Sequence, residues 1–135
     1  LVYLLAIFRG MAEGLATPRM RIMADDLIWD GPLTLANIAN GPWEGGMFHI
    51  APMASNGDGQ FDLMIAGPVS RRRILTLLPT LMSGKHIEEK EIMHRRVRQL
   101  TIEAEEPVLS HLDGEIQPPL RHLEISLLPG ALRLL

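Results

Sequence analysis

The stretch NGPWEGGMFHIAP (residues 40–52), followed closely by GDGQFD (residues 57–62), decides the fold. It is typical of two strands joined by a glycine-rich turn, then a tight acidic loop and a third strand. Gly45 and Gly46 permit the positive φ angles of a sharp turn, and Asp58-Gly59 is strong turn chemistry. Apolar side chains alternate from Phe61 onward, as expected of a half-buried strand. The stretch therefore predicts a β-rich core with two fixed loops.

Further strands are predicted on both sides of this stretch. The residues before it favour extended structure at 18–24 and 33–39, with a turn at Asp30-Gly31-Pro32 between them. The residues after it favour strands at 92–103 (with a break), 108–115, 120–128 and 131–135. The turns that separate the later strands are expected at Glu106-Pro107, Pro118-Pro119 and Pro129-Gly130.

Two helices are predicted. Residues 1–14 read as the end of an incoming linker helix, and an internal helix begins after Ser70 and stops at Gly84. Pro79 inside that helix predicts a kink or a new first turn. The sum is a mainly β chain of about eight short strands without βαβ alternation, which predicts an antiparallel β-sandwich or partly closed barrel.

Composition narrows the class of protein. At 135 residues the chain is a single domain by size, and its net charge of −3 argues against a general nucleic-acid binder. It contains no cysteine, which excludes disulfides and cysteine-based sites and fits a reducing cytoplasm. The apolar run at residues 1–8 is too short to span a bilayer and lacks the features of a signal peptide. Because the chain opens on Leu1 in mid-pattern, we expect it to be a fragment.

The sequence Asp113-Gly114-Glu115 is the first candidate site. If the strand persists, His111, Asp113 and Glu115 share one face while Val108 and Leu112 face the core. Two carboxylates beside an imidazole suit a metal-bound phosphate or proton transfer from a hydroxyl. The alternative is the polar end of a hairpin, because Asp-Gly is a common turn.

Asp58, with Asp62 four residues later, is the second candidate. A carboxylate beside the carbonyl groups of a tight turn is a site that Mg²⁺ or Ca²⁺ can occupy. The alternative is a plain β-turn.

A set of basic residues is the third candidate. An anionic membrane surface would attract it, whereas a solvated protein face is the common alternative. The set consists of Arg71, Arg72, Arg73, Lys85, His86, Arg95, Arg96 and Arg98.

A series of short motifs resembles the C-terminal lobe of the diacylglycerol kinase catalytic family, which includes bacterial lipid kinases and sphingosine kinases. The resemblance covers nearly the whole chain. The motifs recur in order as Asn40-Gly41, Gly45-Gly46-Met47, Ile50-Ala51-Pro52, Ala54, Asp58-Gly59, Asp62, Gly84-Lys85-His86 and Asp113-Gly114-Glu115.

This resemblance implies a two-lobed, ATP- and Mg²⁺-dependent lipid kinase with its active site between the lobes. The N-terminal lobe, with the nucleotide-binding motif, is absent here, and residues 131–135 would return toward it. Asp113, Gly114 and Glu115 would face Mg²⁺–ATP, with Glu115 as the catalytic base for a lipid hydroxyl. A structural metal would be held by Asp58 with backbone carbonyls near Ser55 and Gln60, although Ser55 and Gln60 depart from the family's usual residues.

The resemblance also implies partners and a location. We expect the missing lobe and a lipid substrate as partners, no nucleic acid, and a cytoplasmic location; peripheral contact with the membrane's inner face and a homodimer stay open. Without the phosphate-binding loop, the fragment is expected to be inactive alone. Two alternatives remain: a non-catalytic β-sandwich module that binds lipid or protein, and the second lobe of a nicotinamide-dinucleotide (NAD) kinase.

Overall fold

Seven β-strands and one α-helix dominate residues 16–132, the part of the chain that this computed structural model describes. In chain order the strands are β1 (Arg19–Met23), β2 (Leu27–Pro32), β3 (Leu35–Ala39), β4 (Phe61–Ala66), β5 (Ile92–Val97), β6 (Gln99–Leu112) and β7 (Glu115–Ser126). Helix α1 spans Arg71–Ser83, and a 3₁₀ turn at Lys85–Glu88 follows it. The linker helix expected at residues 1–14 lies outside the described residues. So does the end of the strand expected at 131–135, whose first two residues are not in a strand.

Two antiparallel sheets pack around one apolar core. The four-stranded sheet has the order β2-β1-β6-β7, and the three-stranded sheet has the order β3-β4-β5. The core is built from alternate residues of both sheets. Its fully buried members include Ile22, Leu63, Ile65 and Leu100. The mainly β, sandwich-like prediction is therefore confirmed.

A second, smaller core lies on the other face of the three-stranded sheet. Strand β4 is buried on both faces, because Met64 packs here against Ile50 and Ala51 of the preceding loop. Leu81 of α1 packs against the same cluster. The loop at residues 49–54 and α1 thus form a third layer behind the three-stranded sheet.

Helix α1 begins and ends where the sequence predicts. The Ser70 hydroxyl oxygen accepts a hydrogen bond from the Arg73 N–H at 3.2 Å, which satisfies one of the free donors of the first turn. Gly84 ends the helix in the left-handed conformation (φ 76°). The helix runs through Pro79 as one element, so the new first turn expected there does not form.

The glycine-rich stretch at residues 40–52 is a loop, which corrects the prediction of strands there. It contains one isolated bridge, between Glu44 and Phe48, around Gly45 and Gly46 with φ 58° and 72°. The turn expected at Asp30-Gly31-Pro32 is instead the end of β2. Gly31 is nearly extended there (φ 157°). The prediction missed β2 because it interpreted Asp30-Gly31-Pro32 as a turn.

The prolines expected to separate the later strands lie inside two long ones. Strand β6 runs through Pro107, and β7 runs through Pro118-Pro119. The register between them shifts near Val108, where a strand tolerates proline. Strand β6 pairs with β1 only from Thr101 to Ala104, so its outer half pairs with β7 alone. The result is a long hairpin whose tip carries the first candidate site.

Candidate active site at the tip of the β6–β7 hairpin

Asp113 and Gly114 form the two-residue turn that joins β6 to β7. Both have positive φ, 48° and 90° respectively, as a type I′ hairpin turn requires. Asp113 is the one non-glycine residue with positive φ among residues 16–132. Aspartate and glycine are residue types that adopt this conformation readily, so the sequence itself sets the end of the hairpin.

The turn divides the predicted site residues between the two faces of the hairpin. Leu112 pairs directly with Glu115, and His111 pairs with Ile116. Directly opposed residues share a face, so His111 and Glu115 lie on opposite faces. The prediction of one shared face was wrong because the strand ends before Asp113. Leu112 is 65% exposed and does not face the core, which corrects a second part of that prediction.

Glu115 is exposed as the first residue of β7. Its carbonyl oxygen accepts a hydrogen bond from the side-chain amide of Gln117 at 3.0 Å. Within residues 16–132 its carboxylate has no hydrogen bond or ion pair. The carboxylate is therefore available to a group outside the described chain.

His111 connects the turn to the glycine-rich loop. Its Nδ1 accepts a hydrogen bond from the Gly114 N–H at 3.4 Å, which leaves the ring proton on Nε2. Nε2 lies 3.4 Å from Oε1 of Glu44, whose Oε2 accepts a hydrogen bond from Asn37 at 2.9 Å. Glu44 was not predicted as a site residue. No local pattern in the sequence relates it to a hairpin turn that follows 69 residues later.

The Asp58 loop brings oxygen atoms together, as the second candidate site requires. Oδ1 of Asp58 accepts a hydrogen bond from the Gln60 N–H at 3.0 Å, and the Ser55 carbonyl accepts one from the Asp58 N–H at 3.4 Å. Both acceptors keep free lone pairs, and hard cations prefer oxygen ligands. The chemical type of these oxygen atoms, a carboxylate and a carbonyl in one turn, is that of a hard-cation ligand. No group of three or more His, Cys, Asp or Glu side chains in residues 16–132 is arranged to hold a metal.

Asp62 is buried and belongs to a different cluster. Its Oδ1 lies 2.6 Å from Nε2 of His94 and 3.4 Å from Nε of Arg96. Arg96 also donates to the Met53 carbonyl at 2.9 Å, which ties β5 to the loop over α1. The cluster lies on the α1 side of the three-stranded sheet. Asp62 therefore makes structural contacts with His94 and Arg96 there.

The structure divides the basic set into two groups. One is on α1, and the other lies at the end of β5 and the turn after it. His86 belongs to neither, because it is buried and its Nε2 lies 2.9 Å from the Ile50 carbonyl. Arg73 is paired with Glu89 and Glu91. Those carboxylates raise the pKa of Arg73, and its guanidinium lowers the pKa of Glu91.

Comparison with known proteins gives one consistent result. A family model described as the YegS C-terminal NAD kinase beta sandwich-like domain matches residues 1–135. A diacylglycerol kinase of Mycobacterium tuberculosis is 36% identical over 124 residues, and a probable YegS-like lipid kinase of Pseudomonas aeruginosa is 37% identical over 115 residues. These matches cover 87% and 84% of this chain.

Solved structures agree with the sequence matches. The structure of a proposed diacylglycerol kinase from Bacillus anthracis superposes with a TM-score of 0.71 at 25% identity. The superposition covers 95% of this chain and 41% of that one. The chain likewise spans 39% of the M. tuberculosis relative and 36% of the P. aeruginosa relative. The relatives therefore contain a large region to which nothing in this chain corresponds.

Proposed function

Because the chain belongs to the family of YegS C-terminal NAD kinase beta sandwich-like domains, we propose that it is the second lobe of a lipid kinase. The proposed reaction is transfer of the γ-phosphate of ATP to a hydroxyl of a diacylglycerol- or sphingosine-like lipid. Its support is the naming of the relatives as diacylglycerol and lipid kinases, together with a free acidic residue at the hairpin tip. The proposed location is the cytoplasm, where ATP is available.

Glu115 is the proposed catalytic base. The observation that carries this role is the exposure of Glu115 beside a turn at which a Cβ built on Gly114 would meet nothing within 4 Å, so the turn is open to an incoming group. In the reaction, the carboxylate accepts the proton of the lipid hydroxyl as the oxygen attacks the γ-phosphorus, and ADP leaves. Mg²⁺–ATP, when bound, supplies the phosphoryl group and neutralises its charge. Asp113 and Gly114 set the direction in which Glu115 points.

The N-terminal lobe of the same protein is the proposed partner of the hairpin. Leu109, Leu112 and Ile116 are 74%, 65% and 79% exposed near the tip. Leu112 lies on the Glu115 face of the hairpin and Ile116 on the His111 face. Both faces therefore carry exposed apolar side chains, which mark surfaces that something else covers. The region present in the relatives and not matched here is the natural occupant. A lobe docked on this hairpin would create a cleft in which Glu115 meets the nucleotide.

The Asp58 loop is the proposed site of a structural Mg²⁺. Asp58 would supply its carboxylate, and Ser55 and Gln60 would supply backbone carbonyl oxygens. Carbonyl ligands are independent of the side chain, so the unusual residues at 55 and 60 are compatible with this role. The site would hold the loop between the smaller core and β4 in place.

Glu115→Gln in the full-length kinase tests the proposed function. It retains the shape of the side chain and removes its basicity, so we expect kcat to fall by about 100-fold or more. Glu103→Gln, at an exposed position on β6 of the same hairpin, is the matched control and should leave kcat unchanged. Residual activity within a few-fold of the parent would show that Glu115 is not the base. Residues 1–135 alone should show no kinase activity.

Phosphorylation of NAD is a second candidate activity, because the matching family is described as NAD kinase-like. An assay of the full-length protein with diacylglycerol, sphingosine and NAD side by side separates the two. The lipid kinase proposal requires turnover of a lipid. Turnover of NAD alone would replace it.

A further inference from the structure

The outer face of α1 combines arginines with an apolar stripe. The residues of the helix that face solvent follow helical spacing, and among them Leu75 and Met82 are 46% and 43% exposed. Leu77 and Leu81 point the other way, toward the protein. We call this surface the α1 face; it consists of Arg71, Arg72, Leu75, Pro79, Met82 and the neighbouring Lys85, all exposed.

The arginines of the α1 face have no partner within residues 16–132. Arg73 pairs with Glu89 and Glu91, whereas Arg71 and Arg72 have no ion pair or hydrogen bond in this part of the chain. Both occupy the first turn of α1, where the helix dipole disfavours positive charge. Their position therefore lowers the stability of the fold. An anionic partner outside the domain would explain why Arg71 and Arg72 occupy the first turn of α1, where positive charge does not stabilise the fold.

No acidic residue lies on α1 itself; the neighbouring Glu89 and Glu91 are paired with Arg73. Residues 69–87 contain no aspartate or glutamate. Cations stand at both ends of the apolar stripe, Arg71 and Arg72 before it and Lys85 after it. An apolar stripe bordered by Lys and Arg is the arrangement of helices that lie in the interface of an anionic membrane. A plain solvated face would not need the apolar stripe.

An exposed tryptophan lies beside the C-terminal end of α1. Trp43 is 58% exposed and stacks on the His49 ring, with the centroids 4.2 Å apart. The N–H of His49 donates to the Leu81 carbonyl at 3.1 Å, and its ring lies against Gly84. Tryptophan is enriched where proteins meet the membrane–water interface. Trp43 is therefore an exposed aromatic residue close to the C-terminal end of α1, which Lys85 follows.

We propose that the α1 face, with Trp43, is the surface through which the protein docks on an anionic lipid bilayer. This inference deepens the proposed function, on which it rests, since a kinase whose substrate is a lipid works at a bilayer. Arg71, Arg72 and Lys85 contact the lipid phosphates. Leu75 and Met82 insert at the level of the head groups.

Vesicle binding by the full-length protein tests the proposal. Sedimentation is measured with phosphatidylcholine vesicles, with and without phosphatidylglycerol. Replacement of both Arg71 and Arg72 by Gln should weaken binding to the anionic vesicles by about 25-fold, roughly fivefold for each charge. The matched control replaces Arg95 and Arg98, which are exposed near the end of β5, and removes the same charge elsewhere. It should leave binding within about twofold, because a specific surface and not net charge is responsible.

Two further measurements separate docking from a structural role. The double variant of Arg71 and Arg72 should have a higher Tm than the parent, because it removes cations from a helix N-terminus. Tryptophan emission should shift to shorter wavelength on binding to anionic vesicles, and Trp43→Phe should remove that shift. A parent without preference for anionic vesicles would overturn the proposal, and so would equal losses in the arginine variant and its control. Unchanged vesicle binding in the arginine variant would also overturn the proposal, and a lower Tm would then show that the arginines have a structural role.

Failure of the proposed function gives a different result. With a short-chain, water-soluble diacylglycerol as substrate, the variant of Arg71 and Arg72 should retain the parent kcat. Loss of this soluble activity in the variant would overturn the docking role. A parent that binds vesicles through the α1 face and phosphorylates no lipid would refute the kinase assignment alone.

Discussion

Gly84→Ala should destabilise the protein more than the same change at Gly46, Gly59, Gly114 or Gly130, which have similar positive φ angles. Gly84 ends α1 with φ +76°, and a Cβ built there would lie 2.7 Å from Nδ1 of His49 and 3.1 Å from Cγ of Pro52. The left-handed conformation alone costs alanine roughly 1–2 kcal/mol. Displacement of the His49 ring from its rotamer adds about 0.5–1.5 kcal/mol, and loss of its stack on Trp43 adds a similar amount. The expected total is about 2–5 kcal/mol.

Gly46→Ala is the matched control, because Gly46 has φ +72° and a Cβ there meets nothing within 4 Å. It should cost only about 1–2 kcal/mol, the conformational part of the effect. Urea unfolding gives both values. In the double variant of Gly84 and His49, truncation of His49 to alanine should remove about 1–2 kcal/mol of the Gly84 effect. Equal losses at Gly84 and Gly46, or strict additivity with His49, would refute the steric reasoning.

Two further predictions concern the hairpin and the ion-pair cluster. His111→Phe keeps the ring but removes the link to Gly114 and Glu44, so kcat in the full-length enzyme should fall about fivefold with KM unchanged. An unchanged kcat would show that this link does not position Glu115. Arg73→Gln removes the partner that lowers the pKa of Glu91. The stability gained from that lowered pKa is present above about pH 4.5 and is lost as the pH falls through the folded value. The variant should therefore be less stable at pH 7 but approach the parent as the pH falls well below 4.5, as measured by Tm against pH; a constant difference would contradict this.

Local sequence signals predicted the elements that depend on local physics. Ser70 and Gly84 bound α1 because a capping hydroxyl and a left-handed glycine act within one turn. The alternation after Phe61 located β4 correctly, but the half-buried strand that it predicted is wrong, because β4 is buried on both faces. Proline was misleading: Pro107 and Pro118-Pro119 read as turns, yet they lie where β6 and β7 pair only with each other. Proline lacks an N–H donor and is tolerated at a strand edge that has no partner strand. Which edges lack a partner depends on the order of strands in the sheet, and no local sequence pattern shows that order.

The candidate site shows the same division. Asp113-Gly114 was recognised as turn chemistry, but its consequence for the faces of the hairpin depends on where the strand ends. The chain turns at Asp113, which has a positive φ, and the resulting pairing places His111 and Glu115 on opposite faces. The prediction placed them on one face because it assumed a strand that continues through residue 115. The Glu44–His111 contact joins a loop to a strand far along the chain. Only the three-dimensional pairing of the sheets brings these two residues together.

The outer half of the hairpin behaves as a lever arm. A two-stranded ribbon twists easily and is barely stable by itself, so small torsions near Ala104 are magnified at residue 115. A partner that packs on the exposed leucines of this outer half would select one of its orientations. It would thereby set the position of the Glu115 carboxylate. Under the proposed function, amide hydrogen exchange in the outer half of the hairpin would slow when the partner lobe binds. The reaction rate would then depend on how firmly this two-stranded ribbon is held, because the sandwich alone does not hold it.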